Sequence, residues 1–227
     1  MRAPISIVIP TLNAAAELPG TLASLAEGLD AGLIRELIVT DGGSTDDTRH
    51  MAEAAGAEWI TGAPGRGGQL QRGVTASAGA WVLVIHADTQ LSAGWSAAVL
   101  QHLQDKPKSA GYFKLRFRSE GLAPAVVARW ANRRSKWFGL PYGDQGLLVP
   151  RVLYDAVGGY PDIPLMEDVA LARALRRQLS ELDATVWTSA ARYERDGWAR
   201  RGARNLLTLG RFFAGVDPAK LAVAYRR

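Results

Sequence analysis

Acidic side chains stand at three places where predicted secondary structure elements begin or end. Asp88 follows the apolar run at residues 81–85, and Asp41 ends an earlier apolar run. Glu167 and Asp168 open an amphipathic segment. Divalent cations prefer oxygen ligands and keep several waters, so a carboxylate at the mouth of a crevice suits a cation held by a diphosphate. We therefore predict that Asp88 binds a divalent metal ion.

The same side chains also have plainer structural interpretations. Asp88 could start a turn or cap the helix that follows it. Glu167 and Asp168 lie in a first helical turn, where acidic side chains interact favourably with the helix dipole and commonly do no more than that. For Asp46 and Asp47, which precede another helix, capping is the interpretation that we prefer.

Two further groups could contact a nucleotide. Asp41, at the carboxyl end of its strand, could accept a hydrogen bond from the imide N–H of a base. Arg66, in the glycine-rich loop at residues 62–68, could clamp a phosphate, because guanidinium presents a planar fork of donors to an oxyanion. Arg72 could do the same, with less support. A single Gly-Arg-Gly-Gly sequence is a weak signal by itself.

The predicted elements of the first hundred residues place these groups at one edge of a sheet. Apolar runs alternate with helical patterns, at residues 5–9, 36–40, 57–61 and 81–85. This alternation favours a parallel sheet with helices on both faces, and open sheets of that type bind ligands at the carboxyl ends of their strands. The turn after the first strand has neither G-x-G-x-x-G nor a P-loop lysine, which disfavours a dinucleotide-binding Rossmann domain.

The second half of the chain has a different pattern. Residues 112–118 alternate apolar and polar side chains as a half-exposed strand does, and residues 123–138 predict a helix with a basic face. A polar turn at 141–146, an apolar run at 147–149, a helix from Glu167 to Leu179 and a strand at 185–188 follow.

The composition is that of a globular protein without cysteine. A chain of 227 residues, 48% of them hydrophobic, is long enough for one α/β domain. The lack of cysteine excludes disulfides and thiolate chemistry and fits a reducing compartment, so the cytoplasm is the default prediction. No apolar stretch approaches the roughly 20 residues that a membrane-spanning helix needs.

Positive charge is concentrated at the C-terminal end. Residues 192–227 hold nine basic and three acidic residues, whereas residues 1–100 hold five basic and ten acidic residues. Arginines alternate with leucines and phenylalanines over residues 198–225. This basic amphipathic segment could lie on an anionic membrane surface, meet a phosphorylated acceptor, or pack on the domain with a solvated face. The acidic N-terminal half argues against nucleic-acid binding.

Four motifs follow one another along the chain: the opening ISIVIPTLN, Asp41 after the second strand, His86-Ala87-Asp88 after the fourth, and Glu167-Asp168 at a later helix. Together they resemble family 2 glycosyltransferases with the GT-A fold, over nearly the whole chain. The resemblance implies an α/β fold with a Rossmann-like, mostly parallel sheet, helices on both faces and a mixed acceptor-side half. The sequences H-A-D-T and Y-G-D-Q-G look more narrowly like a small bacterial subgroup, some of whose members are described as arsenosugar-biosynthesis glycosyltransferases.

The resemblance also implies a role for each position. The nucleotide's base and ribose would be contacted by Pro10, Thr11 and Asp41. Arg66 would approach the diphosphate, and Asp88 would bind the metal ion. Asp168, with Glu167 beside it, would act as the general base that takes the proton of the acceptor hydroxyl. Gly42 replaces the second Asp of D-D-G-S, and Leu12 replaces a base-stacking tyrosine. His86 replaces the first Asp of D-x-D. His86 and Ala87 would lie beside the sugar donor, where His86 could alter the metal preference or contact the ribose.

These roles describe an inverting glycosyltransferase that moves a sugar from UDP or GDP to the hydroxyl of an unidentified acceptor, with Mn²⁺ or Mg²⁺ on the diphosphate. We predict a single domain, with a nucleotide-sugar half (1–106), an acceptor half (107–191) and the basic segment (192–227), which could touch the inner face of the membrane. One alternative is a sugar-1-phosphate nucleotidyltransferase, although residues 10–16 lack the glycine-rich basic loop it needs. A membrane-associated nucleotide-sugar-binding protein without turnover is the other.

Overall fold

A computed structural model describes residues 3–226. Its strands are β1 (Ile5–Thr11), β2 (Ile34–Asp41), β3 (Glu58–Thr61), β4 (Trp81–Val84), β5 (Thr89–Leu91), β6 (Ala110–Phe117), β7 (Leu147–Pro150) and β8 (Leu179–Thr188). Its helices are α1 (Leu18–Ser24), α2 (Ala26–Asp30), α3 (Thr48–Ala54), α4 (Arg66–Ala76), α5 (Trp95–Asp105), α6 (Leu122–Phe138), α7 (Arg151–Ala156), α8 (Glu167–Leu175), α9 (Ala191–Asp196), α10 (Trp198–Phe213) and α11 (Pro218–Arg226).

The first four strands form a parallel half-sheet, as the sequence predicts. β3, β2, β1 and β4 lie side by side in that order and run in one direction. Ile7, Val8 and Ile9 of β1 are completely buried, because helices cover the sheet on both faces. The strands therefore end at one edge, where Thr11 and Asp41 lie opposite each other in the β1–β2 register.

The other half of the sheet is mixed, which also agrees with the prediction. β7 runs antiparallel to β4, and β6 runs antiparallel to β7. β8 is parallel to β6, and the short β5 pairs with β8 in the antiparallel sense. Within residues 3–226, these eight strands form one sheet in the order β3-β2-β1-β4-β7-β6-β8-β5.

Two predicted boundaries in this half are wrong. β6 begins at Ala110, two residues before the predicted start, but the predicted alternation is confirmed, because Leu115 and Phe117 are buried while Arg116 between them is exposed. The helix predicted to continue to Leu179 ends at Leu175, since Leu179 already pairs with Ala110. β8 is consequently a ten-residue strand.

The C-terminal segment packs onto the domain through aromatic and apolar side chains. The rings of Tyr193 and Trp198 approach Phe117 edge-on, with centroids 5.1 and 5.0 Å away. Phe212 of α10 packs on a small apolar cluster beside α8, and Leu221 of α11 is buried. The segment therefore packs on the domain, which was one of the three interpretations left open for it. Among residues 3–226, the helices all fall short of the length and apolar character that crossing a bilayer requires.

Candidate active site

A pocket lies where the carboxyl edge of the parallel half-sheet meets α8 and the C-terminal helices. Four of the predicted site residues line it together, namely Arg66, His86, Asp88 and Asp168. Glu167 lies buried beside Asp168, with its side chain 1% exposed. Pro10, Thr11, Asp41 and Ala87 are not among the residues that line this pocket. The phosphate, metal and base candidates thus come together, whereas the base-and-ribose candidates lie at the neighbouring ends of β1 and β2.

The start of α4 brings Arg66 to the acidic residues of α8. Arg66 is the first residue of α4, and its guanidinium Nε lies 3.6 Å from Glu167 Oε1. This approach depends on Gly67, because a side-chain Cβ there would overlap the carbonyl oxygen of Pro161 and lie 2.7 Å from that of Ile163. The glycine-rich loop therefore serves close packing of α4 against the loop at 161–163, which leads into α8.

Glu167 and Asp168 are held in different ways. Asp168 Oδ2 accepts the backbone N–H of Gly143 at 2.7 Å, and its Oδ1 accepts the N–H of Val169 at 2.7 Å. Glu167 Oε1 is buried and accepts no hydrogen bond from any residue in the range 3–226. Burial, and after it the charge of Asp168, raises the pKa of Glu167, although Arg66 opposes the shift. Glu167 is thus more readily protonated than an exposed glutamate, while Asp168 faces the pocket with fixed orientation.

His86 and Asp88 follow β4 and complete the opposite wall. The His86 ring packs against Gly143, where a Cβ would overlap its Nε2. Burial, followed by the charges of Arg66 and Arg192, holds the pKa of His86 well below its ordinary value, so the imidazole is neutral at pH 7. Burial raises the pKa of Asp88, although Arg192 and Arg66 oppose the shift. Neutral imidazole and carboxylate are both groups that ligate cations.

Asp41 holds its own loop together. Its Oδ1 accepts the hydroxyls of Thr11 at 2.9 Å and Ser44 at 2.5 Å, and its Oδ2 accepts the N–H groups of Gly43 and Ser44, each at 2.7 Å. Burial raises its pKa, but these hydrogen bonds outweigh burial and leave the pKa of Asp41 lowered. All four lone pairs of the carboxylate are engaged. The predicted contact with a nucleotide base therefore requires a hydroxyl to turn away, and it stays a prediction.

Gln69 explains why Gly42 stands in place of an aspartate. The Gln69 Nε2 amide donates to the carbonyl oxygens of Thr11 at 2.7 Å and Thr40 at 2.8 Å, which ties the ends of β1 and β2 together. A Cβ at Gly42 would lie 2.9 Å from Gln69 Oε1. The departure from D-D-G-S is therefore matched by a buried amide on α4.

Two subsidiary expectations need correction. Arg72 does not face the pocket, because its Nη2 donates to the carbonyl oxygen of Ala63 at 3.0 Å and so braces the loop before α4. Asp46 caps α3 as predicted, with Oδ1 accepting the N–H of Thr48 at 3.1 Å. Asp47, for which capping was also preferred, makes no capping hydrogen bond with its side chain.

The polar turn before β7 contributes an acidic residue that the sequence argument did not select. Asp144 lines the pocket, and its Oδ1 is buried without a hydrogen-bond partner. Burial raises the pKa of Asp144 to about 6, although Arg134 opposes the shift. The Arg134 guanidinium in turn stacks 3.4 Å from the centre of the Tyr142 ring. An acidic residue inside the glycine-flanked sequence Y-G-D-Q-G was the available signal.

The C-terminal helices supply the remaining wall of the pocket. Arg201 donates to Asp196 and to the Tyr225 hydroxyl, each at 2.8 Å, and Tyr225 donates to Asn205 Oδ1 at 2.9 Å. Asn205 Nδ2 donates to the Tyr193 hydroxyl at 2.9 Å. The charge pattern left open a contact of this segment with an acceptor. In the structure α9, α10 and α11 border the same pocket as Asp88 and Asp168.

The chain belongs to glycosyl transferase family 2, whose family model matches residues 6–159. The mixed sheet, the order of its strands and the position of the pocket at the carboxyl edge are those of the GT-A fold. The structure of S. aureus TarS residues 1–349 superimposes with a TM-score of 0.64 at 16% identity, covering 91% of this chain and 64% of that one.

Mycobacterial proteins provide the other comparisons. Glucosyl-3-phosphoglycerate synthase of Mycobacterium tuberculosis is 39% identical over 93 residues, which are 37% of this chain and 28% of that protein. A structure of that synthase with Mn²⁺, UDP and phosphoglyceric acid superimposes with a TM-score of 0.56 at 23% identity, covering 82% of this chain and 69% of that one. The sequence match thus spans less than a third of the curated relative, and the narrower arsenosugar resemblance stays a prediction.

Proposed function

We propose that the protein is an inverting glycosyltransferase that moves a sugar from a nucleoside diphosphate, UDP or GDP, to the hydroxyl of an acceptor. The observation that carries this proposal is the meeting of Arg66, Asp88 and Asp168 in one pocket at the carboxyl edge of the parallel half-sheet. A diphosphate between Arg66 and Asp88 would have its sugar directed toward Asp168. Family membership and the titles of the similar structures support a nucleotide-sugar donor.

A divalent cation fits the charges of this pocket. Burial raises the pKa of both Asp88 and Asp144, so the nearby arginines only partly compensate these carboxylates for their loss of water. Among residues 3–226 no cluster of three or more His, Cys, Asp or Glu side chains is placed to hold a metal ion. Asp88 would therefore share Mn²⁺ or Mg²⁺ with donor phosphates and water, a common mode for Mg²⁺. When bound, the ion would supply charge stabilisation for the departing diphosphate.

Asp168 is the proposed general base. Each of its oxygens accepts one backbone N–H, which leaves a lone pair on each for the acceptor hydroxyl. The acceptor oxygen attacks the anomeric carbon as Asp168 takes its proton, and the bond from that carbon to the diphosphate oxygen breaks. Glu167 is a positioning residue in this scheme, because it is buried beneath the pocket and pairs with Arg66.

The wall formed by α9–α11 is the proposed acceptor side. Tyr193, Asn205 and Tyr225 present hydroxyl and amide groups whose mutual hydrogen bonds fix their orientation. Such groups suit recognition of a hydroxylated acceptor. The nucleotidyltransferase alternative is disfavoured by the family match, and no observation specifically favours a protein without turnover.

The test is a thermal unfolding panel of nucleoside diphosphates, with Mn²⁺, with Mg²⁺ and with EDTA. UDP or GDP should raise the melting temperature only with metal, since a ligand at about 100 times its dissociation constant adds about 2.7 kcal/mol to the free energy of unfolding. Asp88→Asn should remove the metal-dependent part of this stabilisation. The matched control is Asp183→Asn, an exposed acid on β8. Equal stabilisation with EDTA and with Mn²⁺ would contradict the metal role, and no stabilisation by any nucleotide would contradict the proposed donor.

A further inference from the structure

Helix α6 presents an unpacked apolar face to solvent. Leu122 is 87% exposed, Val126 is 65% exposed and Trp137 is 62% exposed, and Trp130 is also exposed. With 3.6 residues per turn, these four positions fall on one side of the helix, opposite the buried Ala128, whose side of α6 packs on β6. Two exposed tryptophans on one helix face are not accounted for by the protein's own core.

Positive charge accompanies these apolar residues on the same side of α6. Arg129, Arg133 and Lys136 are exposed, and none of them forms an ion pair within the described part of the chain. The Arg133 guanidinium lies 5.7 Å from the centre of the Trp137 ring. The face thus combines tryptophan and aliphatic side chains with cations, as helices that lie in a membrane interface do.

Helix α10 packs against α6 and also exposes apolar and basic side chains. Leu206, Leu207 and Phe213 of α10 are exposed, and arginines flank them at positions 200, 204 and 211. Phe138 of α6 and Phe213 of α10 line one shallow groove, next to Arg173. We call the outward sides of α6 and α10 together the basic aromatic face.

We propose that the basic aromatic face binds the surface of an anionic lipid bilayer. A bilayer interface accepts tryptophan rings at headgroup level and attracts cations, so it satisfies both properties of this face at once. The proposal extends the surface to α6, which the charge distribution of residues 192–227 did not indicate, and it does not rest on the proposed sugar transfer. Because the inner side of α10 carries Arg201 and Asn205 into the pocket, docking would place that wall about one helix diameter, roughly 10 Å, from the lipid.

Vesicle sedimentation tests the proposal. The native protein should sediment at low salt with vesicles of phosphatidylcholine and phosphatidylglycerol in equal parts, less at high salt, and not with phosphatidylcholine alone. Each cation near an anionic surface strengthens binding about fivefold, so Arg129→Gln combined with Arg133→Gln should weaken it about 30-fold. Trp137→Ala should weaken it at least tenfold, because a buried aromatic ring is lost from the lipid.

Matched controls come from exposed residues elsewhere. Val152→Ala on α7 and Lys108→Gln between α5 and β6 should sediment like the native protein. Brominated phosphatidylglycerol should quench tryptophan fluorescence of the native protein, a readout that needs no variant. The proposal is overturned if native protein stays in solution with anionic vesicles at low salt, or if the controls lose as much binding as the face variants. It is also overturned if light scattering shows a dimer that Trp137→Ala dissociates, since the face would then belong to a second copy.

Discussion

Replacing Asp168 with asparagine separates the proposed base from the plain stabilising role of this carboxylate. Asparagine has nearly the same size, but it has one acceptor oxygen where aspartate has two. In the structure both Asp168 oxygens accept backbone N–H groups, from Gly143 and Val169. Whichever way the amide is turned, its NH₂ group must face one of these donors. The substitution therefore changes structure as well as chemistry, and both effects have to be measured.

The structural cost follows from these contacts. Loss of one hydrogen bond to a charged group costs about 1.5–3 kcal/mol, and loss of the favourable charge at the first turn of α8 costs about 0.3–1 kcal/mol. We expect Asp168→Asn to lower the free energy of unfolding by about 2–4 kcal/mol, measured by urea denaturation. The folded fraction should stay high at room temperature, because a domain of this size typically has a stability of about 5–15 kcal/mol.

The effect of Asp168→Asn on turnover should be larger than its effect on stability, and the two can be measured separately. Turnover with saturating donor should fall by about 10²–10⁴-fold, the usual contribution of a positioned acid or base, while the dissociation constant for the nucleoside diphosphate changes little. The assay is release of nucleoside diphosphate from the donor selected by the unfolding panel, with water or simple alcohols as acceptors. Glu167→Gln is the control, expected to cost less than tenfold, because the raised pKa of Glu167 makes the neutral amide a close mimic of its protonated form.

Two results would refute this reasoning. If Asp168→Asn turns over at nearly the native rate while Glu167→Gln is inactive, the roles of the two residues are exchanged. If both variants remain active and only their stability falls, these carboxylates merely favour the start of α8 and the base lies elsewhere.

The remaining predictions concern the support of the pocket. Gly67→Ala should lower the free energy of unfolding by about 1–3 kcal/mol and weaken nucleotide binding, because its methyl group would overlap the backbone of the loop at 161–163. Gly210→Ala is the control, and it should not lower the free energy of unfolding, because the space around Gly210 is open. Equal urea midpoints for the two variants would contradict this. Asp144→Asn should stabilise the protein by about 3 kcal/mol near pH 8 and by little near pH 4. Because the pKa of Asp144 is raised to about 6 in the folded protein, its carboxyl destabilises the fold increasingly as pH rises from the unfolded pKa through 6. A stabilisation independent of pH would show that burial of the Asp144 charge is not its cause.

The sequence by itself determined the parallel half-sheet and the ends of its strands. The apolar runs of β1, β2 and β4 stop where the polar residues begin. This pattern can be recognised from neighbouring residues alone, because a buried strand needs apolar side chains on both faces and is followed along the chain by a helix of suitable length. The order of motifs then pointed to Arg66, His86, Asp88 and Asp168, which the structure brings into one pocket.

Local patterns were less reliable where burial depends on distant residues. The apolar pattern of α8 predicted a helix as far as Leu179, but pairing with Ala110 of β6 places Leu179 at the start of β8. Asp41 looked like a free carboxylate at a strand end, whereas donors from Thr11, Gly43 and Ser44 use all its lone pairs. Such contacts join residues that sequence spacing does not relate.

Only the tertiary structure decided what closes the pocket. Asp144 enters it because the turn before β7 folds over His86 and Asp168, and Tyr225 enters it because α11 packs back on α10. The charge pattern of residues 192–227 did not indicate that they border the pocket. Packing of Phe117 against Tyr193 and Trp198 brings them to it, because aromatic burial, rather than sequence separation, sets where a terminal helix rests.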